Sequence, residues 1–418
     1  MKRLSFRHLL MFVAIWSVAG FPLLAGVTTV LGINNTLFSI MLRALAVFAA
    51  LFLLFRNIRI HHSLALCLFL AFWAAYFSRL YISLHILGEP TTFPASHYWI
   101  WSVGATFIPS LAVLTSYKPV FAESLHRSFS CVAPFATAVL LAAGGTTITT
   151  LSGELADHNR WNTDSLNPIS MGHIGVTTFL LGVSLFFNGV SDFKHRNRVL
   201  LAFFAIGLGA LLTIYANSRG PLVALVAALG LMLVAGVQKR RTWWLVFAMG
   251  LASAFAWRTI AEVLFANDGI FDRISAIQAG NDLSSIYRMI SFAGAWDQFT
   301  QNPIFGNAIE EQRTQYYPHN VLLESLMATG LIGSIPFIGI TVLALYSAWR
   351  ILRRGAGDLW IGLLTVQYIT AHQFSGALYN STTMWMTIAL AIAHYASTRS
   401  PRHAVAIQTR PGLVGGLR

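Results

Sequence analysis

Long apolar stretches separated by short polar ones recur from one end of the chain to the other. A helix needs about 20 mostly apolar residues to cross the hydrocarbon layer of a bilayer, and twelve segments come close to that length. The pattern therefore predicts an all-α integral membrane protein with about twelve transmembrane helices in one polytopic domain, residues 1–418. The predicted spans are 9–31, 36–55, 64–84, 98–116, 129–150, 169–189, 198–216, 220–237, 242–262, 320–349, 359–375 and 379–397.

Composition excludes a soluble enzyme. The chain is 56% hydrophobic and only 10% charged, with a mean hydropathy of +0.63, whereas soluble proteins carry roughly 25% charged residues. Cys67 and Cys131 fall inside apolar runs, so we expect small core residues rather than a disulfide framework. The start of the chain, with Lys2 and Arg3 before an apolar run, resembles a signal peptide. We interpret it as an uncleaved first span because many similar runs follow.

The net charge of +13 would suit a nucleic-acid-binding protein, but its distribution does not. The basic residues lie in short clusters between apolar runs, which is how membrane proteins encode their orientation. If the N-terminus is cytoplasmic, 20 of the 28 basic residues fall in cytoplasmic segments, six on the outer side, and Arg43 and Arg79 within spans. Removing one helix would destroy this asymmetry. We therefore predict an even number of spans, both termini in the cytoplasm, and a cytoplasmic tail over 398–418.

Two predicted outer loops are long, one over 151–168 and one over 263–319. In the second, Ser284 or Ser285 could cap a helix that Pro303 ends. Such a helix would lie on the membrane surface or over a cavity, and a packing lid and a substrate cover explain it equally well. The apolar residues at helical spacing are Ile286, Met289, Ile290, Ala293 and Trp296.

Arginine is unexpected on the outer side, which carries twelve Asp or Glu against six Arg and no Lys. Arg219 lies in the short turn Asn217-Ser218-Arg219-Gly220, where a planar guanidinium could bind phosphate oxygens or reach the lipid headgroups. Arg288 lies on the predicted outer helix, where it could point into a cavity or stay solvated. Arg160, beside His158 in the first outer loop, forms a weaker cluster.

His319 stands just before a predicted span, and Asn320 is the expected N-cap of that helix. A neutral imidazole at the membrane surface could act as a base, although a lone interfacial histidine is more often structural. Arg43 and Arg79 should face the protein interior or reach the interface, and their roles are open. No P-loop, dinucleotide fingerprint or zinc motif is found, and no Asp-x-Asp pair lies near an outer span end, which disfavours nucleotide and metal-dependent enzymes.

Three segments in order resemble the O-antigen ligase and polymerase superfamily of polytopic membrane glycosyltransferases over roughly residues 150–340. They follow an upstream Asn167-Pro168-Ile169 that is also similar to ligases. The resemblance implies a GT-C-like architecture in a bacterial inner membrane. It also implies metal-independent, inverting transfer of an O-antigen glycan from undecaprenyl diphosphate to a sugar hydroxyl of lipid A–core on the periplasmic side, without cofactor or nucleotide. The segments are Asn217-Ser218-Arg219-Gly220; Arg288 with Trp296 and 302–306; and Pro318-His319-Asn320 with Leu323, Glu324, Gly330 and Gly333.

The resemblance also implies residue roles. Arg219 and Arg288 would bind the donor diphosphate and neutralise the charge that develops on the leaving group. His319 would activate or position the acceptor hydroxyl, and the loop over 263–319 would be a catalytic segment or lid. The residues expected to contact substrates are Arg160, Asn217, Ser218, Tyr287 and Asn320.

Several alternatives share these features. An O-antigen polymerase or a protein O-oligosaccharyltransferase would use the same lipid-linked donor with a different acceptor. A polyprenyl-lipid flippase or small-solute transporter would also have about twelve spans, but its ionisable groups should lie near the bilayer midplane. Here the candidate residues gather at outer span ends, which favours an externally facing site over a transport pathway.

Overall fold

The fold is built from long apolar helices, as the hydropathy pattern predicts. The computed structural model describes residues 6–56, 58, 63–144, 161, 163, 165–188, 195–237, 283–355 and 357–399, and among these all extended regular elements are helical. The helices are α1 Phe6–Leu31, α2 Thr36–Arg56, α3 Ser63–Ile86, α4 Ala95–Ser116, α5 Pro119–Ala143, α6 Pro168–Asn188, α7 His195–Tyr215, α8 Arg219–Val234, α9 Leu283–Gln301, α10 Val321–Arg354, α11 Leu359–Ala371 and α12 Thr382–Arg399.

Membrane-spanning character is evident in the described helices. Eight of them are long and apolar enough to cross a bilayer, and α8 and α11 are shorter apolar helices. Together the helices overlap every predicted span except 242–262, which lies outside the described residues. The described part of the chain is therefore all-helical and the protein is a multi-pass membrane protein, while the count of twelve spans stays a prediction.

Helix α5 differs from the predicted span 129–150, because it begins ten residues earlier, at Pro119. Its first turns contain Glu123 and Arg127, whose charged groups lie 3.8 Å apart. A span predicted from hydropathy leaves out such charged turns. A helix can still begin there, because a proline in the first turn and an i,i+4 ion pair both suit a helix start. The prediction that Cys67 and Cys131 are core residues was wrong, since both lie exposed on helix surfaces.

An aromatic core joins α3, α10 and α12. Phe72 of α3 lies 5.2 Å from both Phe337 and Trp385, measured between ring centroids, and all three side chains are buried. Aromatic pairs of this kind add about 0.5–1.5 kcal/mol each beyond the burial of their area. This core fixes the three helices relative to one another and thereby positions the segments that leave their ends.

Candidate functional site

The backbone around His319 is held in an unusual conformation. His319 has φ of +57°, in the left-handed region that non-glycine residues seldom adopt. Asn320 follows it and caps α10, because its side chain accepts a hydrogen bond from the Leu323 N–H over 2.9 Å, which confirms the predicted N-cap. The Asn320 amide also donates to the Gln373 carbonyl over 3.1 Å, and the Val321 N–H donates to the His372 carbonyl over 3.1 Å. The histidine is thus tied to the C-terminal end of α11.

Aromatic rings and a buried environment surround the His319 imidazole. The Tyr317 ring lies edge-on at 4.6 Å and the Tyr316 ring at 5.4 Å, measured between centroids. Within the described residues, the buried Nδ1 atom has no hydrogen-bond partner. Burial, and to a smaller extent the positive charge of Arg288, lowers the pKa of His319 to about 4. The imidazole is therefore neutral at physiological pH and offers one acceptor and one donor nitrogen.

The same electrostatic effect shows that Arg288 lies near His319, although 31 positions separate the two residues in the chain. Arg288 lies on α9, which confirms the predicted helix and its end before Pro303. The predicted cap was wrong: α9 covers Ser284 and Ser285, so neither stands before the helix. Arg288 lies in the second turn of α9, and α9 packs against α10.

The apolar side of α9 faces outward. Met289 is 65% exposed and Trp296 is 52% exposed, while Ser291, Gly294 and Gln298 on the other side are buried. Gly294 lies so close to Glu311 that an added Cβ would overlap its carboxylate. An exposed apolar side suits a helix at the membrane surface, because an amphipathic helix at the interface directs its apolar side toward lipid.

Two buried acids that sequence reasoning missed, Glu310 and Glu311, shape the segment before His319. Glu311 accepts hydrogen bonds from the Thr314 N–H at 2.8 Å and the Thr314 hydroxyl at 2.7 Å. Its own N–H donates to the Tyr316 carbonyl over 2.8 Å. Glu310 accepts from the Tyr98 hydroxyl and from the Thr92 N–H. The sequence signal was a pair of adjacent acids close to the end of an outer loop.

Arg219 begins α8 after a tight turn. Asn217 has φ of +44°, and Asn217 and Ser218 are both buried. Pro221 packs so closely on α6 that a Cβ added to Gly172 would lie 2.6 Å from its Cγ. The turn after α7 is thus fixed against the start of α6, as a short connection between long apolar helices requires.

A chain of contacts joins the start of α8 to the His319 segment. Next to Gly172, the His173 ring lies 6.5 Å from the Tyr368 ring, and the Tyr368 carbonyl bonds the His372 side chain over 2.8 Å. The His372 carbonyl in turn accepts from Val321. Arg219 and His319 therefore lie at the same end of the helix bundle, and Arg288 is close to His319.

The residues expected to contact substrates lie in different environments. Asn217 and Ser218 form the buried turn before Arg219, and Asn320 serves as a helix cap. Tyr287 is 65% exposed on the outward side of α9. Arg160 lies outside the described residues, as do most of the loop over 151–168, the first part of the loop over 263–319 and the tail from 400 onward.

The two arginines within predicted spans, Arg79 and Arg43, have defined contacts. The Arg79 guanidinium donates to the carbonyls of Phe305, Gly306 and Asn307 over 3.0, 2.8 and 2.7 Å. The Arg43 guanidinium lies between two aromatic rings, 4.7 Å from the Phe21 centroid and 4.3 Å from the Trp101 centroid. Arg79 thus satisfies its charge with backbone carbonyls, and Arg43 does so with π faces.

Residues 201–338 match the family model described as O-Antigen ligase. The matched segment, about a third of the chain, contains Arg219, Arg288 and His319, so the resemblance seen in the motifs is confirmed. No curated protein matches the chain. Within the described residues, no three His, Cys, Asp or Glu side chains gather as they would around a metal ion.

Proposed function

We propose that the protein, whose residues 201–338 match the O-antigen ligase model, transfers an O-antigen glycan from undecaprenyl diphosphate to a sugar hydroxyl of lipid A–core oligosaccharide. The observation that carries the proposal is the effect of the Arg288 charge on the half-buried, neutral His319 imidazole, with both residues inside the matched segment. We further propose a GT-C-like arrangement in the bacterial inner membrane, with the reaction on the periplasmic side and inversion at the anomeric carbon.

In the proposed reaction, Arg219 and Arg288 hold the two phosphates of the donor. The bond from the acceptor oxygen to the anomeric carbon forms while the bond from that carbon to the diphosphate oxygen breaks. Two guanidinium groups offset the charge that develops on the diphosphate, and such electrostatic stabilisation contributes several kcal/mol. The acceptor proton passes to His319 or, if His319 only orients the hydroxyl, to the departing diphosphate.

Donor binding should change the basicity of His319. Without substrate, a pKa of about 4 makes the imidazole a weak base, and proton abstraction is most efficient when the pKa lies near the working pH. A bound diphosphate offsets the positive charge of Arg288 and adds negative charge nearby, so both changes raise the pKa of His319. The base would then gain strength only when the donor is in place.

Both proposed substrates are lipids, and the surface near the site is suited to them. The outward side of α9, with Met289 and Trp296, is apolar and exposed, as are Leu322 and Ile332 on the adjoining α10. This surface would allow the donor and the acceptor to approach by lateral diffusion in one leaflet.

Reconstitution of the full chain in proteoliposomes tests the proposal. With undecaprenyl-diphosphate glycan and lipid A–core, we expect glycan-bearing lipid A–core, and at least a 100-fold lower rate for His319→Ala and Arg288→Ala. Arg313→Ala is the matched control, because this nearby arginine pairs with Asp297 at the exposed surface. Elongated undecaprenyl-linked glycan would indicate a polymerase, and a glycosylated protein would indicate an O-oligosaccharyltransferase. Movement of the lipid across the bilayer without a covalent product would indicate a flippase or transporter. Each of these results would overturn the ligase assignment.

A further inference from the structure

A cavity of about 340 Å³ lies between α1, α2, α4, α6, α11 and the start of α12. Its volume is many times the ~30 Å³ that one water molecule occupies in the liquid. Tyr317 lines it, and the Tyr317 ring also contacts His319. The cavity is therefore next to the candidate reaction centre, although neither Arg219 nor Arg288 is among its lining residues.

Arg43 is the one formally charged residue among the described residues that line this cavity. Phe21 and Trp101 sandwich its guanidinium, and within the described chain it has neither a carboxylate partner nor a hydrogen-bond acceptor. A cation within a membrane domain normally pairs with an anion or with carbonyl oxygens, as Arg79 does here. Arg43 has its aromatic supports but leaves its donors available to a ligand.

The rest of the lining favours an anion. It offers hydroxyl and amide groups, and the described lining contains no carboxylate. Helices α6 and α12 also begin at this cavity, and helix N-termini carry partial positive charge. At the start of α6 the Asn167 side chain already accepts from the Ser170 N–H over 2.8 Å. Both ring nitrogens of His173 are buried there without a partner among the described residues. The polar lining residues include Ser165, Asn167, Ser170, Asn380, Thr382 and Thr383.

Helix irregularities border the cavity. Helix α1 is π-helical over Trp16–Gly20 and α4 over Ile100–Phe107, and Trp16 and Trp101 from these segments line the cavity. π-Helical segments within α-helices are rare and occur frequently at functional sites. Here they widen two helices where the Arg43 sandwich is formed.

We propose that this cavity binds a phosphate ester carried by the acceptor lipid, with Arg43 as its cation. A guanidinium matches phosphate oxygens through its planar array of donors, and the two helix starts and the neutral polar side chains complete the set of donors. The assignment rests on the proposed function, since it gives the acceptor a site separate from the donor diphosphate. Binding of the headgroup there, with Tyr317 between it and His319, would bring the acceptor sugar toward the histidine.

A binding experiment on the full chain in detergent micelles tests the site without requiring transfer. The probes are lipid A–core, the same lipid after enzymatic removal of its phosphates, and inorganic phosphate. We expect the wild type to bind the phosphorylated lipid at least tenfold more tightly than either of the other probes, and Arg43→Gln to lose this preference. Arg56→Gln is the matched control, because Arg56 lies on the same helix over the Phe52 ring but outside the cavity. Equal binding of phosphorylated and dephosphorylated lipid by the wild type would overturn the proposal, as would equally tight binding of inorganic phosphate.

A kinetic experiment separates the acceptor from the donor. Arg43→Gln should raise the KM for the acceptor at least tenfold while the KM for the donor stays within twofold, and Arg43→Lys should restore part of the loss. A rise in donor KM instead would assign the cavity to the donor and overturn the proposal. If the wild type transfers no glycan, the proposed function is wrong. The binding experiment would still show whether Arg43 binds a lipid phosphate.

Discussion

The guanidinium of Arg79 donates a hydrogen bond to the carbonyl oxygen of Asn307 over 2.7 Å, across 228 positions of the sequence. The Phe305 and Gly306 carbonyls accept from the same group. An arginine within a predicted span thus fastens α3 to the segment that follows α9. Because that segment and α9 both pack against α10, the contact helps to hold Arg288 and His319 in one place.

Arg79→Gln should therefore destabilise the protein. Hydrogen bonds to charged groups contribute about 1.5–3 kcal/mol each, so loss of this cluster should lower the apparent Tm in detergent by several degrees and reduce glycan transfer. Arg127→Gln is the control, because the Arg127–Glu123 pair lies at the surface with a separation of 3.8 Å. Equal Tm values for the two variants would contradict the role given to Arg79.

A glycine at the kink of α10 should tolerate no side chain. Gly330 has φ of +56° and ψ of −157°, a region that is nearly exclusive to glycine. A Cβ there would lie 2.4 Å from the Ile304 carbonyl oxygen. Gly330→Ala should lower the yield of folded protein and the apparent Tm, whereas Gly230→Ala should not, since nothing lies within 4 Å of its added Cβ. Size-exclusion chromatography and thermal unfolding measure both, and a normal Gly330→Ala protein would exclude the close approach.

The pH at which activity falls on acidification should depend on whether the donor is bound. Because the pKa of His319 is lowered to about 4, the free enzyme keeps a neutral imidazole until the pH falls toward that value. The pH dependence of kcat/KM reports the pKa values of the free enzyme, and the pH dependence of kcat reports those of the enzyme–substrate complex. We expect the kcat/KM for donor to fall near pH 4 and kcat to fall at higher pH, since diphosphate raises the pKa of His319. Coincident limbs would argue against this coupling.

The same pKa has a consequence for stability. The unfolded chain protonates His319 near its ordinary value of ~6.5, so the unfolded state takes up the proton first as the pH falls. The folded state is therefore favoured above pH ~6.5 and progressively disfavoured between ~6.5 and ~4. In thermal unfolding at pH 7 and pH 5, the loss of apparent Tm on acidification should be smaller for His319→Gln than for the wild type.

Lysine should be a poor substitute for arginine at the proposed diphosphate site. Lysine keeps the charge but loses the planar set of donors that binds two phosphate oxygens at once. We expect Arg219→Lys and Arg288→Lys to retain less than about a tenth of the wild-type kcat, with normal protein levels in the membrane. Activity near wild type in both variants would remove the bidentate role.

Glycan transfer should not depend on a divalent metal ion. If two guanidinium groups stabilise the leaving diphosphate, EDTA at millimolar concentration should leave the initial rate within twofold. Strict restoration of the rate by Mg²⁺ or Mn²⁺ would indicate that a metal ion supplies the positive charge instead.

Local features explain why part of this protein could be predicted from its sequence. Hydropathy depends only on segment composition, so the helices that overlap every predicted span except 242–262, and the end of α9 before Pro303, could be predicted. Asn320 could be predicted as an N-cap because capping joins groups three residues apart. The motifs containing Arg219, Arg288 and His319 indicated the family, since their order is a property of the chain.

Only the tertiary structure decided which distant groups meet. The charge of Arg288 reaches His319 because α9 packs on α10, and the carbonyls that satisfy Arg79 come from residues more than 220 positions away. The aromatic rings around Arg43 come from two other helices, and the cavity beside it is formed by helices from both halves of the chain. Sequence determines where a helix forms and what it carries, whereas burial and pairing of charges depend on how the helices pack, which no local pattern records.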